Sequence, residues 1–134
     1  MHRANTRNQE LVVSLSEWLP TIATDRMYLT KILTELLHNA CKYTGVNGKI
    51  MVEIDGDPNL DWLTIAIKNQ AEITKKHLPH IFDQFYRIPG SDREQQGGSG
   101  LGLSIVQKLV QQLNGQIHAA STNGWTEFAV KLPV

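Results

Sequence analysis

Three features that many chains carry are scarce or missing in this sequence. It has a single cysteine, Cys41, so no disulfide can form within the chain, which is typical of a reducing compartment. No apolar run approaches the roughly 20 residues that a membrane-spanning helix needs. The opening "MHRANTRNQE" lacks the apolar core of a signal peptide. These absences predict a cytoplasmic domain without membrane contact.

The chain also lacks an excess of charge of either sign. Its 13 lysine and arginine residues are balanced by 13 aspartate and glutamate residues. Because broad binding to nucleic acid needs a positive surface, this balance argues against nucleic acid as a partner, although a local basic patch stays compatible with it. A hydrophobic content of 41% over 134 residues is enough for one core, and we predict a single domain spanning residues 1–134.

Hydrophobic periodicity predicts an α+β fold. One helix is predicted from Asp25, its N-cap, to about Thr44, and a second helix follows Gly102. Strands are predicted in "ELVVSLS", "KIMVEID", "WLTIAIK", "QIHAAST" and "TEFAVKLP", with hairpins across "GDPNLD" and "NG". Since single helices alternate with pairs of strands, we expect a mixed sheet with the helices on one face.

Glycines are concentrated in "GGSGLGLSIVQKLVQQLNG", residues 97–115. A glycine-rich turn that opens a helix suits an anion, because its backbone N–H groups and the helix dipole point at the same place. The sequence has no Walker A pattern, and Gly98, Gly100 and Gly102 give G-x-G-x-G after a polar loop rather than G-x-G-x-x-G after a strand. The stretch therefore predicts either a phosphate cradle of another kind or a hinge before a core helix.

Three polar residues share one face of the first predicted helix. Glu35, Asn39 and Lys42 follow the spacing i, i+4, i+7. An amide oxygen can bind Mg²⁺, and an ammonium group pairs with phosphate oxygens, so this face suits a Mg-triphosphate. A solvated helix face with an ordinary charge pair accounts for the same residues equally well.

Aromatic residues cluster in "LPHIFDQFYR", which contains Phe82, Phe85 and Tyr86. They either anchor this stretch on the core or act as a clasp at the edge of the polar loop that follows. That loop, "IPGSDREQQGG", is rich in glycine and charge, and we predict it to be mobile.

Together these motifs resemble the catalytic, ATP-binding domain of sensor histidine kinases. "TELLHNACKYT" is similar to the N box of that family, "LPHIFDQFYRI" to its F box and "GGSGLGLSIVQKLVQQLNGQI" to its G2 box, and "GWTEFAVKLP" looks like its closing strand. The resemblance runs from about residue 10 to residue 134. It implies the two-layer Bergerat fold shared with gyrase-type, Hsp-ninety-type and mismatch-repair ATPases, with ATP and Mg²⁺ as cofactors and an ATP lid at about 83–99.

The resemblance also implies a role for individual residues. Asn39 corresponds to the Mg²⁺ ligand, Lys42 to the phosphate-contacting lysine, and Tyr43 to the ring along the base. Glu35 corresponds to the acid that orients or deprotonates the nucleophile in related ATPases, and Thr126 to the threonine beneath adenine. With Glu35, Asn39 and Lys42 as the catalytic residues, the other implied nucleotide-binding residues are Asn69, Ile73, Tyr86, Arg87, Gly98, Ser99, Gly100, Leu101, Gly102 and Leu103.

One box departs from the family. The G1 box of the family reads D-x-G-x-G, and its Asp accepts a hydrogen bond from the adenine amino group. The aligned stretch here is "KNQAEI", one residue short, with Asn69 in place of the Asp and with Ala71 and Glu72 where glycines are expected. This change predicts weak but real ATP binding and blurred purine selectivity.

A phosphoacceptor motif is also missing. None of the five histidines lies in the helical H-[ED] context that the family uses. The resemblance therefore implies that the acceptor histidine lies on a separate dimerisation domain, in the same full-length protein or in trans, and that a response regulator acts downstream. Two alternatives stay open: a degenerate docking domain with little or no nucleotide binding, and a Bergerat-fold ATPase or serine kinase.

Overall fold

A computed structural model describes residues 8–17, 19–56, 59, 61–86 and 102–134. Within these ranges two helices and five strands alternate as the periodicity predicts. In chain order they are β1 (Glu10–Leu15), α1 (Arg26–Tyr43), β2 (Lys49–Gly56), β3 (Trp62–Asn69), a short 3₁₀ turn (Leu78–His80), α2 (Gly102–Gln112), β4 (Gln116–Thr122) and β5 (Trp125–Pro133).

The strands form one mixed sheet in the order β1-β2-β3-β5-β4. β1 runs parallel to β2, and every other pair of neighbours is antiparallel. The predicted "NG" turn joins β4 to β5: Asn123 and Gly124 both have positive φ, 53° and 81°, as a tight type I′ turn requires. The α+β prediction is confirmed.

Both helices pack on one face of this sheet through the apolar stripes that the sequence predicts. Asp25 caps α1, because its side chain accepts a hydrogen bond from the Tyr28 N–H at 3.0 Å. The residues that meet in the core include Ile32 and Leu36 from α1, Val106 and Val110 from α2, and Ile65, Phe128 and Val130 from the sheet. None of the helices in the described ranges is long and apolar enough to span a bilayer.

The opposite face of the sheet carries a charged cluster. Lys68 on β3 lies between Glu53 on β2 and Glu127 on β5, with its Nζ 2.9 Å and 3.5 Å from their carboxylate oxygens. The hydrogen bond to Glu53 raises the pKa of Lys68 above its ordinary value of 10.5. Partial burial lowers the same pKa, but by less. This face is polar, and the candidate site lies on the other side of the domain, where the helices pack.

Candidate nucleotide-binding site

The three polar residues of the α1 face are not fully solvated. Glu35, Asn39 and Lys42 are each half-buried, whereas Met27 on the same helix is 80% exposed. Lys42 and Tyr43 form the end of α1. The face that carries the N-box residues therefore borders another part of the molecule.

Part of that border is the start of α2, which approaches Glu35 closely. A Cβ atom added to Gly102 would lie 2.8 Å from Glu35 Oε2. The other carboxylate oxygen, Oε1, is 2.7 Å from the Lys31 Nζ, one helical turn earlier. The N-box acid and the last glycine of the G-x-G-x-G pattern, Gly102, are thus brought together, and this glycine leaves room for the carboxylate. The first turn of a helix carries unpaired N–H groups and a partial positive charge, so an anion is favoured there.

The adenine end of the predicted site is built at the ends of two paired strands. Asn69, the last residue of β3, lies directly opposite Thr126 on β5, and each is 2% exposed. The Thr126 hydroxyl donates to the Ala71 carbonyl at 2.7 Å. The structure therefore brings together two of the three residues that the resemblance assigned to the base, the third being Tyr43 at the end of α1.

The altered G1 box is held in place by side chains. We call residues 70–73 the base-side segment. The Gln70 side chain accepts a hydrogen bond from the Lys49 N–H at 2.8 Å, and the Ser121 hydroxyl accepts one from the Ile73 N–H at 2.7 Å. Ser121 Oγ also lies 3.0 Å from the hydroxyl of Thr126.

Glu72 stands where the family has a glycine, and its side chain reaches the turn between β4 and β5. Its carboxylate accepts a hydrogen bond from the Gly124 N–H at 2.8 Å. The sequence motifs did not single out Ser121 or Gly124 as partners of this segment. No local pattern marks them, because they lie 48 and 52 residues from the groups that they contact.

The aromatic residues of the F box have different surroundings. The Phe82 ring meets Phe128 edge-on, with the centroids 6.0 Å apart, so Phe82 is an anchor on the core. Phe85 is 67% exposed and has a positive φ of 65°. The Tyr86 hydroxyl lies 2.5 Å from His77 Nδ1, and its ring stacks on His80 at 5.3 Å. Tyr86 is thus held by two histidines.

Part of the predicted phosphate cradle lies outside the described residues. Those members of the cradle are Gly98, Ser99, Gly100 and Leu101, and the predicted nucleotide-binding residue Arg87 and the lid beyond Tyr86 lie outside the described residues as well. The two remaining members, Gly102 and Leu103, open α2. Since Leu103 is only 3% exposed and its side chain packs in the core, its backbone N–H is the group that it can offer to a phosphate.

Comparison with solved structures identifies the fold. The catalytic domain of histidine kinase ThkA superposes with a TM-score of 0.85 at 22% identity, over 98% of this chain and 83% of that one. Full-length ShkA, solved in complex with AMPPNP, gives a TM-score of 0.83 at 25% identity and covers 98% of this chain and 27% of that one. The two-layer domain is that of histidine kinase catalytic domains.

Sequence comparison identifies the family. The model of the histidine kinase-, DNA gyrase B- and HSP90-like ATPases matches residues 24–134, and the chain belongs to this family. Autoinducer 2 sensor kinase/phosphatase LuxQ of Vibrio cholerae is 36% identical over 97% of this chain and 16% of its own length. Sensor protein VanS of Enterococcus faecium is 34% identical over 84% of this chain and 29% of its own length. The chain thus spans less than a third of these sensor kinases.

Proposed function

We propose that this chain is the ATP-binding catalytic domain of a two-component sensor histidine kinase. It would transfer the γ-phosphoryl group of Mg-ATP to a histidine on a separate dimerisation domain. The observation that carries the proposal is the close approach of Glu35 on α1 to Gly102 at the start of α2. This contact brings a helix N-terminus, which favours phosphate, next to the face that carries Asn39 and Lys42.

The residues of this face fit Mg²⁺ bound together with a triphosphate. In the described part of the chain no three acidic, histidine or cysteine side chains are grouped as a metal site. Mg²⁺ in nucleotide sites is commonly held by one or two protein oxygens, with phosphate oxygens and waters as the other ligands. Asn39 would supply such an oxygen and Lys42 would pair with a phosphate. Mg²⁺ would neutralise phosphate charge, and phosphoryl transfer depends mostly on such neutralisation and on positioning.

The partners follow from the kinase context. ThkA, which has the same fold, was solved in complex with the response regulator protein TrrA. We infer that a response regulator also acts downstream of the present chain, after a histidine of the dimerisation domain has been phosphorylated. Three further points stay predictions. The catalytic domain extends over residues 1–134, it has no acceptor histidine of its own, and it is located in the cytoplasm.

A trans-phosphorylation assay tests the proposal. The chain is incubated with γ-labelled Mg-ATP, alone and with the dimerisation domain of its own full-length protein. We expect acid-labile phosphate on the dimerisation domain, no label on the chain alone, and no transfer with EDTA. Acid-labile phosphate on the isolated chain would contradict the missing acceptor. Steady hydrolysis of ATP without a partner, and without transfer to one, would favour the ATPase alternative.

The rebuilt base-side segment favours one second candidate, a docking domain that binds little or no nucleotide. Ala71 and Glu72 replace the glycines that let the family's backbone approach the base, and Glu72 fills its position with a side chain tied to Gly124. Calorimetric titration with Mg-ADP separates the candidates. Measurable binding supports the kinase, and the absence of binding at millimolar ligand supports the docking domain.

A further inference from the structure

Two residues that precede β1 are hydrogen-bonded to the region where α1 ends. The Asn8 side chain donates to Asn47 Oδ1 at 2.6 Å. Gln9 is only 6% exposed, and its Nε2 donates to the Cys41 carbonyl at 3.1 Å and to the Thr44 carbonyl at 2.6 Å. Because a carbonyl oxygen can only accept a hydrogen bond, these two contacts fix the orientation of the Gln9 amide, with its NH₂ group toward α1.

Gln9 takes the place of the usual cap at this end of α1. The last carbonyls of a helix have no partner within it, and a residue with positive φ just beyond the end, most often glycine, commonly satisfies them. Here Thr44 is extended, with φ −86° and ψ 128°. Among the glycines that the structure describes, only Gly124 has a positive φ, so Gly45 does not form such a cap. The Gln9 amide donates to two carbonyls at this end instead.

The two carbonyls that Gln9 binds lie on either side of Lys42 and Tyr43, which the sequence assigns to the nucleotide. The Cys41 carbonyl belongs to the planar peptide group whose nitrogen is that of Lys42. The hydrogen bond from Gln9 therefore holds the peptide plane from which the Lys42 backbone continues. Since helix ends fray, this bond keeps Lys42 on the face of α1 that also carries Asn39.

The oxygen of the same amide indicates that stability alone does not favour a glutamine here. Within the part of the chain that the structure describes, Gln9 Oε1 is buried and has no hydrogen-bond partner. A buried oxygen without a partner costs free energy, which an apolar side chain of the same length would avoid. Such a side chain would, however, lose both bonds to the end of α1. The position thus requires a donor.

We infer that Gln9 is a positioning residue for nucleotide binding, which acts through the end of α1 on the phosphate contact of Lys42. The inference rests on the proposed nucleotide-binding function. It adds to the site a residue that lies outside the N, F and G2 boxes, and 32 and 35 positions from the groups that it binds.

A double-mutant cycle tests the inference. The affinity for Mg-ADP is measured by calorimetry for the unaltered chain, Gln9→Met, Lys42→Met and the double variant. Methionine keeps the length of the side chain and removes its donors. We expect Gln9→Met to weaken binding by about tenfold, the size of one lost charge-assisted hydrogen bond. In the Lys42→Met background the same change should weaken binding by less than about threefold, because the group that Gln9 positions is gone.

Gln116→Met is the matched control. Gln116 is exposed and is the first residue of β4, as Gln9 precedes the first residue of β1. It pairs with Lys131, at the opposite end of β5 from Thr126, so it lies away from the base end of the site. We expect unchanged Mg-ADP affinity for this variant. Urea denaturation of every variant shows whether the fold is retained under the conditions of the titration.

Each outcome supports or overturns the inference. Equal losses of affinity in the two backgrounds would show that Gln9 does not act through Lys42, and would overturn it. Unchanged affinity in Gln9→Met, while the unaltered chain binds Mg-ADP, would overturn it as well and would leave the proposed function standing. If the unaltered chain does not bind Mg-ADP at millimolar concentration, the proposed function fails and the inference fails with it. Should Gln9→Met not fold, Gln9→Asn, which keeps the amide on a shorter side chain, replaces it in the cycle.

Discussion

The phosphate end and the base end of the proposed site differ in how closely their residues match the motifs of the family. At the phosphate end, the sequence keeps the residue types of the N and G2 boxes at Glu35, Asn39 and Gly102, and Glu35 lies against the start of α2. At the base end, Asn69, Ala71 and Glu72 replace the expected aspartate and glycines. The base end is nevertheless ordered, because the Ser121, Thr126 and Glu72 side chains tie it to the β4–β5 hairpin.

The difference shows which part of a nucleotide site tolerates change. Phosphate binding at a helix start depends on backbone N–H groups, and a substitution that adds a Cβ there displaces a neighbour directly. A base is held by a few hydrogen bonds and by shape, and other side chains can supply both. We therefore expect substitutions at the phosphate end to have larger effects than substitutions at the base end.

The largest effect is expected for Asn39→Ala. Loss of even an outer partner of a metal site typically costs about 10–100-fold in affinity, so loss of a direct ligand should weaken Mg-dependent ATP binding by at least about 100-fold. The fold should survive, because Asn39 is only half-buried and is not among the buried residues of α1, which are Ile32, Leu36, Ala40 and Cys41. Calorimetry with and without EDTA measures this, with the exposed Gln111→Ala as control. Unchanged Mg-ATP affinity would remove Asn39 from the site.

A smaller loss is expected for Gly102→Ala. The added Cβ would lie 2.8 Å from Glu35 Oε2, so the carboxylate or the start of α2 must move. We expect about tenfold weaker ATP binding, the size of one lost charge-assisted hydrogen bond. Stability should hold, because alanine is favoured over glycine within a helix by about 0.5–1 kcal/mol.

The control for that variant is Gly45→Ala, where an added Cβ meets no atom within 4 Å. Adding Glu35→Ala to Gly102→Ala vacates the space and tests whether the contact with Glu35 is the cause. Equal ATP affinities for the Gly102→Ala and Gly45→Ala variants would show that the start of α2 does not bind phosphate.

At the base end, Glu72→Ala should have a milder effect. It removes the acceptor for the Gly124 N–H. For an exposed group, losing this hydrogen bond should lower the free energy of unfolding by no more than about 1.5 kcal/mol. Nucleotide affinity should fall a few-fold. Glu72→Gln keeps an acceptor oxygen and should restore both. Hydrogen exchange at the Gly124 amide reports the tie directly, with the exposed Glu17→Ala as control. Exchange as slow in Glu72→Ala as in the unaltered chain would show that the carboxylate does not hold the turn.

The smallest effect is expected on the opposite face of the sheet. Lys68→Met removes the ion pairs with Glu53 and Glu127. Because these side chains are partly exposed, we expect the loss to lower the free energy of unfolding by less than about 1 kcal/mol. Nucleotide affinity should stay unchanged. Because the pKa of Lys68 is raised in the folded state, its contribution is fully present below pH 10.5 and is lost as the pH rises through the raised value. Urea denaturation of the unaltered chain and of Lys68→Met should show that their free energies of unfolding differ less at about pH 11 than at pH 7. A change in nucleotide affinity would contradict the separation of the two faces.

Much of the fold could be predicted because its patterns are local. Apolar spacing from Leu29 to Ala40 predicted α1, Asp25 marked its first turn, and "NG" marked the β4–β5 turn, all of which the structure confirms. The sequence did not reveal that Phe82 packs on Phe128 while Tyr86 is held by His77 and His80, since that depends on how distant segments meet.

The sequence by itself determined the elements, the α+β class and the residues of the N, F and G2 boxes, because periodicity, caps and motif spacing act within a few turns of chain. Only the tertiary structure decided that the Glu72 carboxylate accepts a hydrogen bond from the Gly124 N–H and that the Ala71 carbonyl accepts one from the Thr126 hydroxyl. These contacts join residues some 50 positions apart. Their formation depends on the pairing of β3 with β5 and of β5 with β4, which brings the base-side segment and the β4–β5 turn to the same end of the sheet.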